Sequence, residues 1–287
     1  MHATPTAADE VRDYYDLNTA RWFARPRDSD AIHRAVWGEG VTSQADAFRY
    51  VDRLVLGELQ GLARSFPAPL HVLDLGCGIG NSLIFLASHS GIRGTGVTLS
   101  GVQADYAARQ IQQAGLSGRV ECLKGDFLEL PATIAPAQLV FSIEAFVHSP
   151  DPDRYFTATA GRVVPGGLLI VCDDYLSEPA RGPLSRRSAR MIDEVRSGWL
   201  ARSLVTAADA DACAQRAGYR QVKNIDLTAS LDVRRPRDLL VAAAVGIGRH
   251  LPLTGYRWRS LVGGNALQAA LLGGLIEFRF IVWRKAS

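Results

Sequence analysis

Residues 71–81 read HVLDLGCGIGN, and this stretch decides the fold of the chain. Its first half is an apolar run around Val72 and Leu75, which suits a strand buried on both faces of a parallel sheet. The run leads into three glycines separated by single residues, Gly76, Gly78 and Gly80. The next residues, NSLIFLA, have the composition of a helix. A strand, a glycine turn and a helix N-terminus bring backbone N–H groups close to a polar ligand. The stretch therefore predicts an α/β fold with a ligand site at this turn.

On either side of this stretch, apolar runs alternate with helical patterns. Strands are predicted at 71–75, 93–98, 119–123, 138–142 and 167–172, and helices at 80–89, 100–115, 126–131 and 151–162. Such alternation predicts a mostly parallel sheet with helices on both faces. Right-handed crossovers place the loops after the strands along one edge, where ligands of such folds bind.

The flanking regions have less regular patterns. Ser43 is a predicted helix N-cap, and residues 9–17 begin an earlier helix. Later residues predict a helix at 206–217, a strand at 220–227, an apolar helical segment and a final strand at 276–283. We therefore expect an N-terminal helical lid at 1–66 and a core at 67–287. This core has inserts at about 173–205 and 234–275, the second a helical insert before the last strand.

Composition limits the function classes. The 287 residues are 47% hydrophobic and 21% charged, and the net charge of +3 is too small to indicate a nucleic-acid partner. Four dispersed cysteines without a C-x-x-C pair predict neither a zinc site nor a disulfide framework, which favours a reducing cytoplasm. The N-terminus lacks an apolar signal core, and the apolar run 261–275 is shorter than the roughly 20 residues that span a bilayer. We expect a cytoplasmic chain without a membrane span.

The glycine turn resembles motif I of the class I S-adenosylmethionine (SAM) methyltransferases. Its third glycine comes one residue earlier than in the dinucleotide fingerprint, and Asp74 lies inside the strand end. The resemblance implies a Rossmann-like fold with a seven-stranded, mostly parallel sheet. It also implies that Gly76, Gly78 and Gly80 approach the methionine and ribose of SAM while Asp74 meets its amino group. The alternative is a purely structural turn, and an NAD dehydrogenase is the least favoured reading.

The ends of the next strands extend the resemblance. GVTLSGVQ, residues 96–103, is similar to a variant in cyclopropane synthases and in tocopherol and prenyl diphosphate C-methyltransferases. By that resemblance Thr98 and Gln103 bond the ribose, and Leu99 lies beside the adenine. Asp126 and Phe127 would hold the adenine, and Ser142 is counted with the cofactor site. VPGG, residues 164–167, matches the family's turn before its fifth strand. Without the resemblance, Ser100 and Asp126 are simply helix caps and Gln103 a surface residue.

The end of the fourth strand predicts the reaction. SIEAFVHSPD, residues 142–151, resembles methyltransferases of sterols, tocopherols and prenyl chains. Methylation of an alkene leaves a carbocation that must be stabilised and then lose a proton, and Glu144 could do both. For a phenol or amine, His148 would be the base. In the structural alternative, Glu144 caps a helix and His148 packs under the lid. A third reading is a SAM-binding module or cyclase that no longer methylates.

The substrate is expected to be a small, largely apolar secondary metabolite. Aromatic faces can enclose such a molecule and stabilise positive charge. The predicted substrate residues are Tyr14, Tyr15, Trp22, His33, Trp37 and Trp199. His33 and Arg34 are further candidates for a phosphate contact. No metal ligands are predicted, and Mg²⁺ is expected only with a diphosphate substrate. The apolar insert could line the pocket or form a homo-oligomer interface.

Overall fold

Seven strands form a single sheet in the computed structural model, which describes residues 6–23, 33–233, 236–253 and 255–287. Its order is β3–β2–β1–β4–β5–β7–β6. The strands are β1 (His71–Leu75), β2 (Arg93–Thr98), β3 (Val120–Lys124), β4 (Ala137–Ile143), β5 (Val163–Leu176), β6 (Tyr219–Asp226) and β7 (Ile276–Lys285). Strands β1 to β5 pair in parallel, and β7 runs antiparallel to β5 and β6. The predicted seven-stranded, mostly parallel α/β fold is confirmed.

Ten helices are described. They are α1 (Ala7–Phe23), α2 (Gln44–Phe48), α3 (Tyr50–Leu62), α4 (Asn81–His89), α5 (Gly101–Gln113), α6 (Pro152–Ala160), α7 (Arg186–Gly198), α8 (Ala207–Arg216), α9 (Pro236–Gly248) and α10 (Tyr256–Leu272). The Ser43 side chain accepts a hydrogen bond from the Asp46 N–H, so the predicted cap is confirmed at the start of α2. None of the described helices is long and apolar enough to cross a membrane.

The predicted helix at 126–131 is wrong, and so are both bounds of the fifth strand, which was predicted at 167–172 and spans Val163–Leu176. Residues 126–131 form turns instead of a helix. Asp126 Oδ1 accepts from the Leu128 N–H at 2.8 Å, which closes a local turn that competes with helical hydrogen bonding. Strand β5 continues past residue 172 to Leu176, because residues 168–176 pair continuously with 276–284 of β7. This extension places Asp173 and Asp174 in a buried strand.

The sheet and the C-terminal helices together position the site. The chain crosses from the edge strand β3 back to β4 beside β1, so the sheet's switch point lies between β1 and β4. Helix α10 crosses α7 closely, since a Cβ on Gly198 would lie 2.6 Å from the Gly263 Cα. This contact holds α10 over the same end of the sheet, where it forms one wall of a cavity.

Candidate active site

The glycine turn between β1 and α4 is held open by left-handed backbone. Gly76, Gly78 and Gly80 have φ values of 81°, 54° and 80°, which side chains with a Cβ rarely adopt. The Gly76 and Cys77 N–H groups both donate to the Val97 carbonyl, at 2.8 and 3.0 Å, which ties the turn to β2. A Cβ on Gly76 would lie 2.4 Å from the Ala145 Cβ. The turn therefore has no room for a larger residue at position 76.

A cavity of about 1050 Å³ opens over this turn. Typical small-molecule pockets measure roughly 300–1000 Å³, so this one has room for a cofactor and an acceptor together. Seven of the ten predicted cofactor residues line it: Gly76, Gly78, Thr98, Leu99, Gln103, Asp126 and Phe127. The sequence motifs therefore meet in one wall, as expected of strand ends at one edge of a parallel sheet.

The other three predicted cofactor residues lie behind that wall. Asp74 is buried, and burial together with the nearby Asp52 raises its pKa. Gly80 packs against α5, where a Cβ would lie 3.2 Å from the Ala107 Cβ. Ser142 is fully buried and shares a 2.8 Å hydrogen bond with the Tyr155 hydroxyl. The structure therefore places the Ser142 side chain away from the cavity, in a packing role that the motif did not indicate.

Helix α1 covers the cofactor side of the cavity. The Thr98 hydroxyl donates to Gln103 Oε1 at 2.7 Å, and the Gln103 amide donates to the Thr19 hydroxyl at 3.1 Å. The Ser100 hydroxyl donates to Asp16. Polar side chains of α1 thus bond directly to the motif at the end of β2.

A buried charge cluster forms the opposite wall. The Arg34 guanidinium donates to both oxygens of Asp174, at 2.7 and 2.5 Å, and its Nε lies 3.6 Å from Glu144 Oε2. The Arg34 backbone N–H donates to Glu144 Oε1 at 2.9 Å. Glu144 itself has a φ of 53°, a strained conformation for a residue with a Cβ. The contacts with Arg34 therefore hold the Glu144 carboxylate at the cavity, and the surrounding structure maintains the strained backbone.

Burial and neighbouring charge shift the acidity of this cluster. Burial, reinforced by Asp174, raises the pKa of Asp173 to about 8, although backbone N–H groups of Val147 and Asp174 donate to it. Burial alone would lower the pKa of the Arg34 guanidinium, but Asp174 and Glu144 outweigh it and hold that pKa above its ordinary value. Arg34 therefore remains a cation between two carboxylates, and Asp173 carries a proton for much of its time at neutral pH.

His148 forms a second polar pair in the same wall. Its Nδ1 lies 3.4 Å from the Leu200 carbonyl, which can only accept, so the hydrogen is assigned to Nδ1. Nε2 then accepts from the Tyr15 hydroxyl at 2.8 Å. Burial lowers the pKa of His148 to about 4, and burial also raises the pKa of Tyr15. The pair is therefore neutral at physiological pH.

Aromatic side chains complete the wall next to the charge cluster. Tyr14 packs edge-on against Tyr15 and Tyr256, and all three line the cavity with Trp199 and His33. Trp37 is 41% exposed and absent from the described lining, so the structure does not support its predicted substrate role. The side chain of Trp22 lies outside the described residues.

Sequence reasoning identified Glu144 but missed Asp174, the second carboxylate that Arg34 contacts, and its neighbour Asp173. It assigned Arg34 to a phosphate, whereas the guanidinium is already paired with Asp174 and Glu144. A signal was present, because Asp173 and Asp174 directly follow the apolar run LLIVC, residues 168–172. Two acids at the carboxyl end of a buried strand indicate a site at that sheet edge.

Comparison with known proteins identifies the family. A family model described as a methyltransferase domain matches residues 72–167, the range that contains the glycine turn, β2 and Asp126. The chain is 26% identical over 277 residues to a probable chloroplastic tocopherol O-methyltransferase of Oryza sativa, covering 90% of this chain and 76% of that protein. Residues 72–167 are a methyltransferase domain, and the chain is a SAM-dependent methyltransferase. The resemblance predicted from the glycine turn is thereby confirmed.

Solved structures share the fold of this methyltransferase along nearly its whole length. The cyclopropane synthase MmaA2 from Mycobacterium tuberculosis has a TM-score of 0.73 at 15% identity, covering 99% of this chain and 100% of that one. A geranyl diphosphate C-methyltransferase from Streptomyces coelicolor A3(2) has a TM-score of 0.67 at 15% identity and 99% coverage of both chains. At such identities the likeness describes the fold alone.

The residues of this methyltransferase fit SAM. The glycine turn gives backbone access that a Cβ at Gly76 would remove. Neutral hydroxyl and amide groups at Thr98 and Gln103, with the Asp126 carboxylate, suit the hydroxyls and amino groups of a nucleoside. Among the described residues no group of three or more His, Cys, Asp or Glu side chains could hold a metal ion.

Proposed function

We propose that this methyltransferase methylates a carbon atom of a small, largely apolar alkene of the prenyl or terpenoid class. The observation that carries the proposal is the position of Glu144. Its carboxylate lines the cavity from a strained backbone position, and many aromatic and aliphatic side chains line the same cavity. Curated relatives include proteins named as 24-methylenesterol C-methyltransferases, which supports carbon methylation of an isoprenoid-derived acceptor.

Binding would divide the cavity into two parts. Bound SAM supplies a methyl group activated by its sulfonium. Thr98, Gln103 and Asp126 would hold the nucleoside, with Leu99 and Phe127 packed against its base. Helix α1 would act as a lid, since Asp16 and Thr19 bond to the same motif. Lid closure excludes water, which strengthens electrostatic interactions inside the site.

Glu144 would act after the new bond forms. The alkene π electrons would form the carbon–carbon bond to the methyl group while the bond between that methyl and sulfur breaks, with its electron pair left on sulfur. A cation would remain on the neighbouring alkene carbon. The Glu144 carboxylate lowers the energy of that charge and then removes an adjacent C–H proton, which regenerates an alkene. The Arg34 backbone N–H holds the Glu144 carboxylate toward the cavity. The aromatic faces of Tyr14, Tyr15 and Tyr256 can stabilise the positive charge through cation–π interactions.

A second candidate is methylation of a phenol or amine with His148 as base. The observation in its favour is that neutral His148 presents Nε2 to the cavity, where an acceptor hydroxyl could replace Tyr15. The tocopherol relative is named as an O-methyltransferase. However, a pKa near 4 makes His148 a weak base at neutral pH, so we favour the carbon reaction.

Two substitutions separate the candidates. Glu144→Gln is expected to lower kcat by about 10²-fold or more while the Kd for SAM stays within about twofold, and His148→Gln should lose less than about tenfold. The matched control Glu178→Gln removes an exposed carboxylate outside the cavity and should leave kcat unchanged. A large loss on His148→Gln with little loss on Glu144→Gln would favour the second candidate.

A further inference from the structure

Helix α9 has one apolar face inside the molecule and another outside it. Asp238 and Val241 line the cavity, and Val245 and Gly248 are buried on the same side. The outward residues Leu239, Leu240 and Ile247 are 68%, 72% and 70% exposed. Their spacing places them on one side of the helix, together with Ala243. A helix bordering water normally turns charged residues outward, so this outer face indicates a different neighbour.

The turn after α9 extends this apolar surface. Leu251 and Leu253 are 54% and 44% exposed. Leu261, near the start of α10, is partly exposed and also lines the cavity. We call the side chains of Leu239, Leu240, Ile247, Leu251 and Leu253 the leucine face. Only the width of α9, about 10 Å, separates it from the cavity.

Positive charge flanks the leucine face. Residues 236–275 contain four arginines and one acidic residue, a net charge of +3 that equals the charge of the entire chain. Arg237 begins α9, Arg249 follows its end, and Arg257 and Arg259 lie in the first turn of α10. The single acid, Asp238, points inward with a side chain only 8% exposed. Arg249 pairs with Glu194. Arg237 Nε lies 3.9 Å from Asp238 Oδ1, and the Arg237 side chain is 86% exposed.

We propose that the leucine face docks on the surface of an anionic phospholipid bilayer. The leucines would enter the boundary between headgroups and acyl chains, and the flanking arginines would contact lipid phosphates. A second copy of this chain is a less suitable partner for the leucine face. A symmetric dimer through this face would bring two copies of a segment with a net charge of +3 together, and like charges repel. Docking also places the cavity beside the membrane, where an apolar acceptor dissolves. That last step rests on the proposed function, whereas docking does not.

Vesicle sedimentation tests the docking without methyl transfer, because neither SAM nor an acceptor is added. The full chain is mixed with phosphatidylcholine vesicles or with vesicles that also contain phosphatidylglycerol, at low and high salt. We expect the protein to pellet with the anionic vesicles and to be released by salt. Leu240→Ser combined with Ile247→Ser should weaken the partition by about tenfold per side chain, and Arg237→Gln by about fivefold.

Leu272→Ser is the matched control, since Leu272 is an exposed leucine at the far end of α10 and should bind like wild type. Protein that stays in solution with both kinds of vesicle would overturn the proposal, as would equal binding of wild type and the Leu240, Ile247 variant. A dimer in sedimentation velocity that the same double substitution dissociates would identify a second copy as the occupant. Because methyl transfer is assayed separately, failed docking would leave the proposed function standing.

Discussion

At the scale of single residues, the glycine turn depends on the missing side chain of Gly76. Gly76→Ala should weaken SAM binding at least tenfold and lower the free energy of unfolding by roughly 2–5 kcal/mol. The reasons are a φ of 81° and a Cβ placed 2.4 Å from the Ala145 Cβ. Gly40→Ala is the control, because Gly40 has a φ of 76° but no neighbour within 4 Å of an added Cβ. Urea unfolding and calorimetry measure both variants, and equal losses would contradict the role assigned to the close contact.

The buried His148 predicts a pH dependence of stability. Its folded pKa, about 4, lies below the unfolded value near 6.5, so between these pH values the unfolded chain binds a proton that the folded chain does not. Wild type should therefore lose up to about 3 kcal/mol of stability, relative to His148→Gln, as the pH falls from 6.5 to 4.

Comparison with His148→Gln isolates the histidine from other titrating groups. Asp173 has a folded pKa of about 8, above its ordinary value, so it contributes stability that is present at low pH and lost as the pH rises through 8. This contribution is common to both proteins and cancels in their difference. Urea unfolding at several pH values measures the difference, and a pH-independent gap would mean that folding leaves the pKa of His148 unchanged.

At the scale of elements, helix α1 should control how long the cofactor stays bound. Asp16→Ala removes the acceptor of the Ser100 hydroxyl and should raise the dissociation rate of SAM about 3- to 10-fold. Asp13→Ala removes another aspartate carboxylate, from an exposed side of the same helix, and serves as the control. Stopped-flow displacement measures the rate. Identical rates in the two variants would contradict the proposal that α1 is a lid.

The central strands could be predicted from sequence, and the reason is local. Strands β1 and β2 have the predicted bounds, 71–75 and 93–98. Strand β1 is a short, largely apolar run that ends at the glycine turn, so local composition marks it. The failed helix at 126–131 shows the limit of this reasoning. A side-chain hydrogen bond from Leu128 to Asp126 decides that segment, and residue composition does not reveal whether it forms.

The charge cluster could be predicted only in part. The motif with Glu144 and His148 could be identified from the sequence because it follows β4 directly. The end of β5 was predicted too early, because Asp173 and Asp174 interrupt the apolar pattern that marks a buried strand. They remain buried because Arg34, 140 residues earlier, pairs with Asp174. An ion pair between residues so far apart in sequence produces no local pattern from which it could be predicted.

At the scale of the whole molecule, the fold brings three groups of residues together around one cavity. The parallel half of the sheet supplies the glycine turn and the proposed nucleoside-binding residues, and β4 and β5 supply the carboxylates. The helices outside the sheet, α1, α7, α9 and α10, supply the aromatic and aliphatic walls. The sequence motifs lie in the half built from the parallel strands, and we propose that these helices determine the choice of acceptor.

Transfer of a ¹³C-labelled methyl group from SAM tests the central claim most directly. The wild-type chain is given geranyl and farnesyl diphosphate, prenylated indoles, phenols and amines, and NMR identifies the atom that carries the label. The account predicts label on a carbon of an isoprenoid, absent with Glu144→Gln. Label on oxygen or nitrogen, retained with Glu144→Gln and lost with His148→Gln, would contradict it.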